Sequence, residues 1–190
     1  MSAINAPFGL RPAFHPSGLD RAVALANGIV TGYPTGILKG QPVSLTTNGV
    51  LNATVAGNPF QGAFAGVSWT DLGGRQQISN QWIANTAFTT GSCVAYYYSD
   101  PNIVYEIQCD GSLAQTSIGD QANFSNIAAG STTTGLSQCT ISSSLVGSGS
   151  VGDLRIVNLA PYTDNAWGDA FTVVQVQIAR SQYVATINAI

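Results

Sequence analysis

Residues 91–111 read Gly91-Ser92-Cys93-Val94-Ala95-Tyr96-Tyr97-Tyr98-Ser99-Asp100-Pro101-Asn102-Ile103-Val104-Tyr105-Glu106-Ile107-Gln108-Cys109-Asp110-Gly111. Two β-rich runs, Cys93–Tyr98 and Ile103–Cys109, flank Asp100-Pro101-Asn102. Proline presets φ for a type I turn, and the aspartate before it can bond back to the turn backbone. Successive side chains of a strand point to opposite faces. Ile103, Tyr105, Ile107 and Cys109 therefore share one face, and Val104, Glu106 and Gln108 share the other. Asp110-Gly111 supplies a further turn, where positive φ is cheap. The stretch reads as a hairpin with one buried and one wet face, at the middle of a β core.

Working outward, the same grammar recurs. Val43 and Leu45 share a face, Asn48-Gly49 is the strongest short hairpin signal in the chain, and Val50–Val55 returns. Gly62–Trp69 is apolar on both faces, as a central strand is. Asp71–Arg75 reads as a loop, and 78–83 as an edge strand or irregular crossing that carries Trp82. Further strands are expected over 117–126, 139–145, 153–159 and 171–179, with a Thr/Gly-rich loop or short edge strand at 131–137. Residues 160–168 form a loop carrying Trp167. The fold class expected is all-β, a short-stranded sandwich or barrel. One short helix is expected over Leu19–Asn27.

Residues 1–26 are set apart as an extended arm, before a β domain at 27–180 and a tail at 181–190. Pro7, Pro12 and Pro16 interrupt regular hydrogen bonding. Ile4, Phe8, Leu10 and Phe14 are too apolar for a solvated tail, so the arm must lie on its own domain or on a partner subunit. These four residues are the candidate docking contacts. Trp82 and Trp167 are candidate loop anchors at an interface, since tryptophan is enriched among interface hot spots. Local core plugs under loops are the alternative for both. The tail, with Tyr183, Val184, Ile187 and Ile190, again ends apolar.

Composition narrows the function. Only 8 % of the 190 residues are charged, against about 25 % in an average chain. There are 21 glycines, one lysine (Lys39) and one glutamate (Glu106). So few charges repel neighbouring copies weakly, which suits a protein that works in an assembly. The net charge is −3 with no basic run, so no nucleic-acid partner is expected. No apolar stretch reaches the length of about 18 residues that a spanning helix needs, and no signal segment is read at the start, so no membrane partner is expected. Cys93, Cys109 and Cys139 lack metal-ligand spacing and read as small buried thiols.

The chemistry-bearing residues do not assemble into a catalytic pattern. The one histidine, His15, lies between Phe14 and Pro16 in the proline-rich arm, a poor place for a rigid general base. Glu106 with Asp100 or Asp110 is the nearest carboxylate pair, but both aspartates are turn-formers first. Gly147–Gly152 has dinucleotide-loop spacing without a following helix. No enzyme activity, cofactor or metal is expected. Tyr96, Tyr97, Tyr98 and Tyr105 can stack sugars or fill both faces of a sheet.

Several segments carry a resemblance. They are Asn5–Pro12, Gly40–Val43, Gly62–Trp69, the block from Ala95 through Asp100-Pro101-Asn102 and Tyr105–Gln108 to Leu113, and Asp164-Asn165-Ala166. Together the chain resembles a group of tailed-phage virion proteins of about this length. The resemblance implies a capsid decoration or cement protein, β-rich and homotrimeric, set on the outside of the major capsid protein lattice. It implies a place on the capsid surface of the virion after assembly in the host cytoplasm, and no catalytic residues. The rival expectation is a virion fibre or lectin-like module that holds host glycan through its tyrosines.

Overall fold

A computed structural model describes residues 2–18, 21–185 and 189. The fold is all-β. Sheet one runs, in spatial order, β1 (Arg11–Phe14), β8 (Val104–Gln108), β14 (Val173–Ile178), β13 (Leu154–Leu159), β9 (Gln121–Ser125) and β12 (Thr140–Leu145). Sheet two runs β2 (Val23–Ala26), β7 (Val94–Tyr98), β5 (Gly62–Thr70), β3 (Pro42–Leu45) and β4 (Leu51–Ala53), with β6 (Gln76–Ser79) beside the far half of β5. All these neighbours are antiparallel. A small ribbon pairs β10 (Gly130–Ser131) with β11 (Leu136–Ser137).

The hairpin expected around Asp100 does not form. Its turn does: the Asn102 N–H donates to Asp100 Oδ1 at 2.8 Å, and the Ile103 N–H to the Asp100 carbonyl at 3.2 Å. The strands on either side then part company. Tyr98 at the end of β7 pairs with Ala63 in sheet two, while Tyr105 in β8 pairs with Pro12 and Val176 in sheet one. The connection is a corner between sheets, because a turn reverses the chain without choosing its ladder partner. The Asn48-Gly49 hairpin does form, with Val43 opposite Ala53 and Leu45 opposite Leu51. Both of its strands belong to one sheet.

Sheet one curls until β12 at one end meets the chain just past β8 near the other. Cys109, just past β8, bridges Ile141 of β12, and the Asp110 N–H donates to the Ile141 carbonyl at 2.9 Å. Inside lie Tyr105, Ile107, Phe124, Ile141, Leu154, Ile156, Val174 and Val176. Sheet two has its own core of Ile29, Ile37, Val43, Leu51, Phe64, Val67, Trp82, Phe88, Ala95 and Tyr97. Each buried Val, Leu, Ile or Phe among them contributes roughly 1.5–3 kcal/mol on burial. All three cysteines are free and buried, Cys93 in the second core and Cys109 and Cys139 in the first. The sheets approach closely where Gly62 of sheet two sits, since a Cβ there would fall 3.1 Å from the Tyr105 hydroxyl of sheet one.

Four further expectations are corrected. Val23–Ala26 is a strand rather than part of a helix over Leu19–Asn27: pairing with β7, Val23 to Tyr97 and Ala26 to Val94, outweighs the helix propensity of Ala and Leu; Leu19 itself lies outside the described residues. The arm is not a separate unit, because β1 and β2 are strands of the two sheets. Leu10 is fully buried in the first core and Trp82 is 1 % exposed in the second, so neither presents a surface to a partner. The face carrying Glu106 and Gln108 is dry, covered by the chain's own N-terminal segment. In the tail, Tyr183 and Val184 are exposed, and Ile187 and Ile190 lie outside the described residues.

Candidate interaction surface

Residues 2–14 form a strap whose first part crosses the outer face of sheet one and whose last four residues are its edge strand β1. Its bonds answer the polar residues of β8. Gln108 Oε1 accepts from the Ala6 N–H at 2.9 Å, and its Nε2 donates to the Ile4 carbonyl at 2.9 Å. Glu106, which a buried carboxylate's desolvation would penalise if left alone, accepts from the Arg11 guanidinium at 2.7 Å and the Tyr162 hydroxyl at 2.5 Å. The Arg11 Cζ stands 4.4 Å from the centre of the Phe8 ring. Burial, and then the bond to Glu106, pushes the Tyr162 hydroxyl up to about 12, so it stays a donor through neutral pH. Asn165 holds the Tyr162 loop: its amide donates to the Ala160 and Val173 carbonyls at 2.9 and 2.8 Å, and its oxygen accepts from the Val173 N–H at 3.0 Å.

The strap's beginning is tied by Ser2. Its carbonyl accepts from the Phe171 N–H at 2.9 Å, and its hydroxyl lies against the Asp169 carboxylate. That hydroxyl, followed by the Ala166 N–H, holds the Asp169 carboxyl below its ordinary 3.8. A carboxyl lowered in the folded state adds stability above its unfolded value and loses it as pH falls through its folded value. The protection factor of the Phe171 amide should therefore drop as pH falls below about 4. That of Ile156, bonded to the Asp120 carbonyl, should not. Unchanged exchange at Phe171 would remove Asp169 as the acid-sensitive tie.

The strap's second half walls a groove of about 410 Å³. Phe8 and Pro12, over the buried Leu10, form one side, Tyr98 of β7, over the buried Phe64 of β5, the floor, and the exposed Leu136 of β11 the far side. Two cations, Arg11 and Lys39, complete the lining. The groove thus sits where sheet one, sheet two and the small ribbon meet. Gly9 permits the approach that builds it: its φ is +77°, and a Cβ there would come within 2.8 Å of the Gly40 carbonyl oxygen.

Of the six residues singled out in the sequence, this surface gathers two, Phe8 at half exposure and Leu10 from beneath. Ile4 and Phe14 are exposed elsewhere along the strap, Trp82 is interior, and Trp167 is half-buried against the first core. Arg11, Lys39 and Leu136 went unread. A lone lysine was the available signal for Lys39. Of the four tyrosines considered for stacking, Tyr97 and Tyr105 are buried, which leaves two half-exposed rings.

His15 keeps company that invites a catalytic reading. Its Nδ1 lies 2.5 Å from the Ser17 hydroxyl, and its Nε2 lies 3.2 Å from Asp100 Oδ2. A hydroxyl, an imidazole and a carboxylate in line are the parts of a hydrolytic triad. The neighbouring backbone argues otherwise. The Ser17 N–H is given to His15 Nδ1 and the Gly18 N–H to the His15 carbonyl, so among the described residues these two amides beside the hydroxyl are engaged and do not serve as oxyanion donors. The cluster fastens the strap's exit to the corner between the sheets. The Asn102 N–H first, and His15 after burial is offset, hold the Asp100 carboxyl below its ordinary value.

No family model, curated protein or solved structure matches this chain.

Proposed function

We propose that the chain is a structural virion protein, a decoration or cement protein that binds the outside of a tailed-phage capsid lattice as a homo-oligomer and stabilises the head. The observation that carries the reading is the pair of unguarded sheet edges. β2 pairs only with β7, and β6 only with β5, among the described residues. Monomeric proteins protect such edges with charges, prolines or bulges. Val23–Ala26 and Gln76–Ser79 carry no charge and no proline, and Ile78 on β6 is 80 % exposed. Leu72 in the adjoining turn and Ile83 beyond it are exposed as well. On a chain with 8 % charged residues, that surface favours contact with other protein. The segments that resemble phage virion proteins support the same reading.

The structure changes how the reading is tested. Deleting residues 1–16 removes Leu10 and β1 and so damages the first core, whereas Ile4 and Phe14 are exposed and can be altered alone. The purified chain should co-sediment saturably with procapsids or expanded heads. The double variant Ile4→Glu, Phe14→Glu should bind at least about tenfold more weakly, with an unchanged circular dichroism spectrum. Failure to sediment with heads of either form overturns the proposal, and undiminished binding by the variant overturns the strap's part in it.

A further inference from the structure

We propose that the groove between the strap and the small ribbon binds an extended segment of another protein, apolar side chains inward and a carboxylate set against Lys39. The argument begins with charge. Arg11, Arg75 and Arg180 each face a carboxylate, Glu106, Asp71 and Asp153 respectively. Lys39, the chain's one lysine, is exposed and, like Arg21 and Arg155 outside the groove, has no ion pair among the described residues. Among the described residues, none that lines the groove is acidic. Within a chain of net charge −3, the groove is therefore a site of local positive charge over an apolar floor.

Its walls are already in place. Lys39 is bonded through its backbone in both directions to the ribbon, donating to the Gly135 carbonyl and accepting from the Ser137 N–H, each at 2.9 Å. The next residue, Gly40, accepts from the Leu10 N–H and donates to the Phe64 carbonyl, each at 2.8 Å. Four main-chain bonds thus lock strap, β5 and ribbon around the opening and leave the lysine side chain free. A preformed site spares the ordering cost that weakens flexible ones. Its volume of about 410 Å³ falls within the range of ligand pockets, about 300–1,000 Å³. An extended peptide sends alternate side chains to one face, which suits a shallow apolar floor with charge at its border. Nucleic acid would require a cluster of cations, and here one is unpaired.

The probe is a fluorescein-labelled seven-residue peptide in which Phe, Val and Leu alternate with Asp, titrated with the intact chain and read by anisotropy. Binding should be saturable and weaken with added salt. Lys39→Glu and Leu136→Glu should each weaken it at least about tenfold, Lys39→Gln less, and Leu72→Glu, on a distant turn, not at all. Replacing the peptide's aspartates by lysine should cost about tenfold or more. Amide shifts on binding should fall at Phe8, Lys39 and Leu136. No saturable binding, equal binding by Lys39→Glu, or displacement of the peptide by oligouridylate or anionic vesicles overturns the inference. It stands apart from the capsid reading: a chain that takes the peptide but ignores phage heads keeps this inference and loses that one.

Discussion

Trp82→Ala is expected to destabilise the fold by about 3–5 kcal/mol, the range for truncating a large buried aromatic. The indole is 1 % exposed and stacks edge-on against Trp69 and Phe88, with ring centres 5.9 and 5.8 Å away. Its Nε1–H points to the Tyr33 carbonyl at 3.4 Å, and its backbone exchanges two hydrogen bonds with Ile37. Removing it leaves a void among side chains fixed by the second sheet, which cannot all move in to fill it. For a chain of this size a loss of that order lowers the melting temperature by roughly 6–20 °C. Denaturant midpoints and thermal melts of the isolated protein read this directly. A variant that melts normally but fails to assemble would return Trp82 to the interface.

The second large effect is expected at Asp153, a buried carboxylate whose oxygens accept from the Gly57 N–H at 3.1 Å and the Phe124 N–H at 3.0 Å, with Arg180 Nε 3.4 Å away. Asp153→Ala strands all of these and should cost about 3–5 kcal/mol. Asp153→Asn keeps an acceptor for the amides and should cost roughly 1–3 kcal/mol. Burial pushes the Asp153 carboxyl above its ordinary 3.8, against the opposing pull of the Phe124 and Gly57 amides and Arg180. A raised carboxyl gives stability that is complete below the unfolded value and declines as pH rises through the folded one. The deficit of Asp153→Asn relative to the parent should accordingly shrink as pH climbs above about 4. A deficit that grows over that interval would mean the ion pair with Arg180 outweighs burial.

What was legible in the sequence was local. Asn48-Gly49 places its own strands side by side because two residues leave no alternative, and the alternation of Val174 and Val176 with Gln175 and Gln177 reports a one-sided strand without outside help. Asp100-Pro101-Asn102 shows the limit. Its turn chemistry was readable, but the partners of β7 and β8 are Ala63, Pro12 and Val176, far away along the chain. Glu106 and Gln108 were read as facing water because they are polar. They face the strap, and polarity signals only that a partner is required. Trp82, between Gln81 and Ile83, had the look of a loop residue, and its burial follows from a single bridge to Ile37 that no period announces. The groove was invisible for the same reason: Leu10, Lys39, Phe64 and Leu136 meet only after both sheets are folded.

The ladder between β1 and β8 also bears on biosynthesis. Arg11 and Glu106 are 95 positions apart. At ribosomal speeds of about 5–20 residues per second, the leading strand waits roughly 5–20 s before its mate is even made. Throughout that interval Leu10 lacks its core neighbours from β8 and β14, and sheet one must then be zipped from widely separated pieces, a slow topology. In a nascent chain of this design sheet one closes only once β8 and β14 have emerged.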